Sequence, residues 1–171
     1  MEKWDILDSQ GRSTGRVALR GETVLSPDEY HLVVHIWILS SDGKFLIQKR
    51  SPLKRLMPGE WAATGGAALS GEDSFTAAVR ELEEELGIKA DKNSLKFIKR
   101  IKRRNSFVDV WYTCCDTPVE ELTLQESEVE RARWVNKDTL QQMIKNGSFH
   151  NYGNYYWSVV FDNLKRKTVG V

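Results

Sequence analysis

The sequence predicts an α/β fold, a mixed sheet carrying helices on both faces. Strand-like and helix-like segments intermix without strict alternation, which excludes a simple repeating parallel unit. One helix has a clean amphipathic stripe between Ser70 and Gly87. The chain's 171 residues, 40% of them apolar, are enough to close a core of their own. We read residues 1–171 as a single domain.

Trp4–Leu7 and Arg16–Leu19 flank Asp8-Ser9-Gln10-Gly11 and read as a hairpin filling about the first 22 residues. Tyr30–Leu39 is β-branched and aromatic, as a central strand would be. Ser41-Asp42-Gly43 is a turn, and Phe45–Lys49 the next strand. Pro52–Pro58 is a basic loop. Trp61 to Gly66 lead into the helix that begins near Ser70, where Ser70 and Asp73 have capping-box spacing. Phe75, Ala78, Val79, Leu82 and Leu86 form its apolar stripe, and Gly87 stops it. Leu95–Ile101, Phe107–Cys114 and Arg133–Val135 read as strands. Lys137–Lys145 and Tyr155–Lys165 read as helices.

Charge is nearly balanced, 25 basic against 24 acidic residues, so no global footprint for a nucleic acid polymer is present. No apolar run is long enough to span a membrane. The N-terminus lacks an apolar signal core. The only cysteines, Cys114 and Cys115, would point to opposite faces of a strand and not bridge. These features suit a reducing, cytoplasmic setting.

The acids of the helix are the informative feature. Glu81 stands three residues from Glu84 and four from Glu85, on one arc beside the apolar stripe. Like charges at those spacings cost roughly 0.2–0.5 kcal/mol a pair. They also lie near the C-terminal end, where the helix dipole disfavours anions. A solvated acidic face, with Arg80 pairing Glu84, is one explanation. A bound divalent cation is the other, because hard cations take carboxylate oxygens and bridge to phosphates. Gly65-Gly66 ahead of the helix would let backbone approach a ligand closely.

Gly66, Glu72, Arg80, Glu81, Leu82, Glu84, Glu85, Gly87 and Ile88 occupy nine specified positions over the 23 residues 66–88. The pattern resembles the Nudix box, with every specified position matched. That resemblance implies an α/β/α sandwich with a mixed sheet and a loop-helix-loop that binds Mg²⁺ or Mn²⁺. It also implies hydrolysis of a diphosphate linkage in a nucleoside diphosphate derivative or a related small organic diphosphate. By the same resemblance Glu84 and Glu85 are metal ligands, and Glu81 is a ligand or the base for water. The Gly66 carbonyl is a further ligand, while Arg80 and Glu72 orient the carboxylates. Family members are often homodimers.

Thr64 stands where many members carry proline. The N-terminal hairpin, Tyr30–His35 and Gln48-Lys49-Arg50 look like the branch related to isopentenyl-diphosphate isomerase, in which His31 would match a metal ligand. That enzyme's cysteine after the tryptophan matching Trp61 is replaced here by Gly66, and Ala68 lies near the place of its histidine. Hydrolysis is therefore the leading reading. An isomerase and a non-catalytic nucleotide sensor are the alternatives. Lys49, Arg50 and Arg55 are the candidate phosphate-binding cations, with Lys54 and Lys102-Arg103-Arg104 near them in kind. Aromatic candidates for stacking are Trp37, Trp111, Tyr152, Tyr155, Tyr156 and Trp157. A metal site needs more oxygens than the helix supplies, so Glu126, Glu128 and Asp109 are candidates for a further acid. Glu128 ranks first, because a loop acid can close onto substrate.

Overall fold

The computed structural model describes residues 2–164. Nine strands and three α-helices are present among them. The first two strands, β1 (Lys3–Leu7) and β2 (Ser13–Leu19), form an antiparallel hairpin of their own. The remaining strands form one sheet: β3 (His31–Leu39), β4 (Phe45–Arg50), β5 (Trp61–Ala62), β6 (Thr64–Ala67), β7 (Lys96–Lys102), β8 (Ser106–Cys114) and β9 (Val129–Val135). β3 runs parallel to β8, and the other pairings are antiparallel, so the sheet is mixed.

β3 is buried on both faces, which its near-continuous apolar run anticipates. Val34, Ile36 and Ile38 face α1 (Ser74–Leu86), meeting Ala78, Leu82 and Leu86. Trp37 and Leu39 face α2 (Lys137–Lys145) and α3 (Asn154–Leu164), meeting Leu140, Trp157 and Val160. Helices therefore cover both sides of the sheet. The expected end of the last helix, Lys165, lies outside the described residues.

The sheet forks at the position that matters. β4 pairs with the end of β3 at Ile38–Leu39, whereas β6 pairs with its beginning at Val33–Ile36. β5 pairs with β4, so the chain crosses from one branch to the other at Ala63. Neither β5 nor β6 is anticipated by the sequence reading, which runs this segment straight into the helix. Short strands bearing Ala, Thr and Gly lack the usual β-branched signal. β9 is also longer than the expected Arg133–Val135, because its charged first half pairs with β4 through backbone.

The helix begins at Ser74, not near Ser70. Asp73 is the cap: its carboxylate accepts from Thr76 N at 2.7 Å. Ser70 instead donates its hydroxyl to Asp5 at 2.6 Å, tying the hairpin to the loop before the helix. Gly87 ends the helix as expected, with φ 70° and its N–H on Glu83 O. The buried face runs through Ala77, Ala78, Glu81, Leu82, Glu85 and Leu86. Glu81 and Glu85 thus lie in the packed stripe rather than beside it, whereas Glu84 stands outside it, exposed, and Phe75 and Val79 stand at its half-exposed edge.

Asp73→Ala should lower stability by about 1 kcal/mol, the usual cost of a lost cap. Ser70→Ala should lower it by less. Thermal unfolding of both variants checks this, and equal losses would return the cap to Ser70.

Candidate active site

The site is built where α1 packs on β6. Gly65 has φ 153°, and a Cβ there would fall 2.1 Å from the Val34 carbonyl oxygen. A Cβ on Gly66 would lie 2.3–2.8 Å from the Glu81 carboxylate. Both glycines are required: the first by the β3–β6 pairing, the second by the acid that fills its missing side-chain space.

Two of the helix acids are buried. Glu85 is only 3% exposed. One of its oxygens accepts from Gln48 Nε2 at 2.9 Å and from Gly65 N at 3.3 Å. Burial, reinforced by the charges of Glu81 and Glu128, pushes its carboxyl up to about 8. Glu81 is also buried, and burial raises its pKa against the opposing pull of Arg80. Glu84 is half-exposed and touches Arg80 at 3.0 Å. Glu83 is exposed and makes none of these contacts.

Arg80 organises the rest. Its Nε and Nη2 grip both oxygens of Glu72 at 2.8 and 3.0 Å. Nη2 also donates to Ala67 O, and Nη1 to Glu81 and Glu84. Glu72 in turn accepts from Leu69 N at 2.8 Å. One guanidinium thus fixes the loop, the helix and two carboxylates, as its planar fork allows.

Outside the helix the candidates divide. Glu128 closes the turn before β9, where its backbone oxygen accepts from Ser51 N at 2.8 Å. Its charge acts on both Glu81 and Glu85, so it belongs to the cluster. Its carboxylate is ion-paired with Lys54. Asp109 does not belong. It is buried under Arg100, which takes both carboxylate oxygens at 2.7 Å each. Its β8 position opposes Val34, one strand beyond the β3–β6 pair, and β7 supplies the arginine from the other side. Glu126 is exposed.

The cations are mostly engaged. Lys49 pairs with Glu130, and Arg50 is buried with its Nε on Leu56 O at 3.1 Å, bracing the basic loop. Arg55 is exposed. Lys102 reaches Ser9 O and stands over Tyr30, while Arg103 lies over Tyr152 and Tyr156. The aromatic candidates are largely core. Tyr156 OH accepts from Trp37 and meets His35 Nδ1 at 3.0 Å. Trp111 is fixed by its indole N–H on Ser74. His31 stacks on Trp4, with ring centroids 4.2 Å apart. Sequence reasoning missed Gln48 as the holder of Glu85. Strand alternation was the available signal, since it separates Gln48 from Lys49.

The residues present fit a divalent cation. A nearly excluded carboxylate held up to about 8 by burial, and further by its acidic neighbours, is stabilised by positive charge, and every donor offered is a hard oxygen. Among the described residues no three His, Cys, Asp or Glu side chains are already gathered into a metal-holding group.

The NUDIX domain model matches residues 29–157, three-quarters of the chain. The chain belongs to the Nudix family. Among its relatives is an uncharacterized Nudix hydrolase of Listeria monocytogenes, 39% identical over 169 residues and covering 98% of both chains. An isopentenyl-diphosphate Delta-isomerase of Kocuria rhizophila is 28% identical over 144 residues, covering 78% of this chain and 77% of its own. The crystal structure of a Deinococcus radiodurans protein superposes with a TM-score of 0.78 at 24% identity, covering 99% of this chain and all of the other. The protein is therefore a Nudix hydrolase, an enzyme of the class that cleaves diphosphate linkages, on the α/β/α sandwich of that family. Among the described residues no helix is long and apolar enough to cross a membrane.

The raised Glu85 pKa makes a linkage prediction for this Nudix hydrolase. Between the unfolded value of about 4.5 and the folded value of about 8, the native state binds the extra proton. Stability in chelator should therefore fall as pH rises through that window, by up to about 1.4 kcal/mol per unit from this group. Glu85→Gln should remove that slope. Urea unfolding of both proteins from pH 5 to 8 checks it; identical slopes would show that Glu85 titrates normally.

Proposed function

We propose that this Nudix hydrolase is a Mg²⁺- or Mn²⁺-dependent diphosphohydrolase acting on a nucleoside diphosphate derivative or related organic diphosphate. The observation that carries the reading is the buried Glu85 beside Glu81, with Glu128 acting on both from another element. Their mutual repulsion is what a bound divalent cation would relieve.

Glu81, Glu84 and Glu85 would hold the metal, with the Gly66 carbonyl and Glu128 as further donors. When bound, the cation polarises the diphosphate and lowers the pKa of a water. Gln48 and Gly65 N donate to one oxygen of Glu85, so the other is the one that would serve a metal. Arg80 and Glu72 keep Glu81 and Glu84 from splaying apart. Glu81 or Glu128 takes the proton of the attacking water, since each is within the cluster and neither is sealed from solvent. Lys54, paired with Glu128, and the exposed Arg55 next to it on the basic loop would offer positive charge to substrate phosphates. Lys49 and Arg50 serve that loop and its strand instead. The intact acids favour catalysis over sensing. An isomerase would need a thiol near Gly66, whereas Cys114 and Cys115 lie at the end of β8, grouped with Leu86, Gly87 and Ile88. Their free thiols suit a cytoplasmic enzyme.

Phosphate release from nucleotide sugars, dinucleoside polyphosphates, ADP-ribose and isoprenoid diphosphates, with and without chelator, tests the reading. Activity should need Mg²⁺ or Mn²⁺. Glu84→Gln and Glu85→Gln should each lose several kcal/mol of transition-state stabilisation, and Glu83→Gln should lose almost none. Equal losses at all three in folded protein would reduce the acids to a bulk charge effect.

Glu128→Ala should slow turnover at least tenfold, about 1.4 kcal/mol, and weaken metal binding by calorimetric titration, while Glu126→Ala and Asp109→Asn leave metal affinity unchanged. Normal rate and affinity in Glu128→Ala would leave the site completed by the box alone.

A further inference from the structure

Ala63 is the residue at which the chain leaves β5 for β6, and it belongs to neither strand. It is buried, so its N–H needs a partner inside the protein. The partner is a side chain from far along the sequence: the Tyr152 hydroxyl oxygen accepts from Ala63 N at 3.2 Å.

The connection between α2 and α3 runs beside this crossing. Phe149 forms a parallel bridge with Trp61, and His150 N donates to Trp61 O at 2.8 Å. Tyr152 therefore reaches the crossing from a segment already fastened to β5. It is held in turn by Arg103, whose Nη2 donates to the Tyr152 carbonyl at 3.3 Å and whose guanidinium lies 5.6 Å over the ring. The Tyr156 ring packs against it at 4.7 Å.

The crossing sets both hydrogen bonds on Glu85. Gly65 supplies one directly through its N–H. Thr64 governs the other, because its hydroxyl donates to Gln48 Oε1 at 3.4 Å and so turns the amide to present Nε2 to Glu85. The Tyr152 ring adds a second contact at the same place. It packs on His35 at 4.6 Å, and His35 is the β3 residue registered opposite Gly65. Burial pushes the Tyr152 phenol up to about 12, and Glu85 is among the charges that act on it. The hydroxyl therefore stays neutral and accepts the Ala63 N–H without adding a charge beside the acid.

We propose that Tyr152 is a positioning residue of the carboxylate site, holding residues 63–65 in the placement from which Gly65 and Gln48 both bond Glu85. The role rests on the metal-dependent reading of that site. Tyr152 acts through the crossing and not on the reacting atoms.

Tyr152→Phe keeps the ring and removes only the hydroxyl. Arg103→Gln loosens the seat of the tyrosine, and Tyr155→Phe, an exposed phenol of α3, is the control. Amide hydrogen exchange in chelator reads the placement without any metal. In Tyr152→Phe the Ala63 and Gly65 amides should exchange faster, while the Val110 amide in the middle of β8 should not change. Calorimetric titration with Mn²⁺, well below the unfolding midpoints, reads the consequence. Affinity should fall about tenfold in Tyr152→Phe, the low end for loss of a group that orients a metal ligand, less in Arg103→Gln, and not at all in Tyr155→Phe. A role confined to packing would lower the melting temperature and leave the Mn²⁺ affinity of the folded protein unchanged. That result, or unchanged exchange at Gly65, overturns the proposal. If Tyr152→Phe does not fold, Arg103→Gln carries the same two measurements with the same consequences. Absence of Mn²⁺ binding by the unaltered chain overturns the metal reading instead, and exchange at Gly65 still decides the placement.

Discussion

The contact between α1 and β6 buries two carboxylates, and the local structure is arranged around that cost. An ordinary amphipathic helix would present Leu or Ala at Glu81 and Glu85. Here those positions lie in the packed face. Removing an ionised carboxylate from water costs several kcal/mol unless it is paired, hydrogen-bonded or protonated. The structure uses all three remedies. Arg80 pairs Glu81; Gln48 and Gly65 N bond Glu85; and the high pKa of Glu85 lets it hold its proton near neutrality. The forked sheet makes this possible, because the crossing at Ala63 brings Gln48 of one branch and Gly65 of the other onto the same acid.

Arginine–carboxylate pairs do two separate jobs in this molecule. Arg80 with Glu72 locks the loop ahead of the helix to the helix itself, so the carboxylates are aimed by a partner outside their own turn. Arg100 with Asp109 uses the same two-point geometry on the sheet, where Arg100 also approaches Gly11 of the hairpin turn. The second pair is structural. It removes an acid from the pool of possible metal ligands by satisfying both of its oxygens.

How legible each part was in the sequence follows from whether its cause is local. The acidic arc, the helix stop at Gly87 and the paired glycines are local in spacing, and the box pattern captured them. The cap was misassigned because Ser70 and Asp73 both have capping chemistry. Only the hairpin's Asp5, sixty-five residues upstream, shows that Ser70 is otherwise occupied. Asp109 between two valines reads as an acid facing a site until its neighbouring strand is known to carry Arg100 in register. Alternation marks Gln48 as inward-facing, but its partner Glu85, like the Lys54–Glu128 pair, is not legible, because each contact joins segments far apart in sequence. The fold class is independent of these long-range partners, because β3's apolar run and the helix periodicity depend on composition and period alone.

Charge within the cluster gives the remaining constraint. Glu72, Glu81, Glu84, Glu85 and Glu128 are five carboxylates, and Arg80 and Lys54 are the two cations bonded to members of the group. Fully ionised, the cluster carries three excess negative charges. A proton on Glu85 reduces that to two, the magnitude of one divalent cation. Lys54 is the adjustable member, because it sits on a loop while Arg80 is fixed by four acceptors. On the proposed function, a cation among the helix acids would weaken the hold of Glu128 on Lys54 and of the proton on Glu85 at the same time. A lysine released in this way would stand beside the acids with its charge free for a phosphate. The same buried acids that burden the fold would then couple, through one proton and one loop lysine, the binding of a cation to that of an anionic substrate.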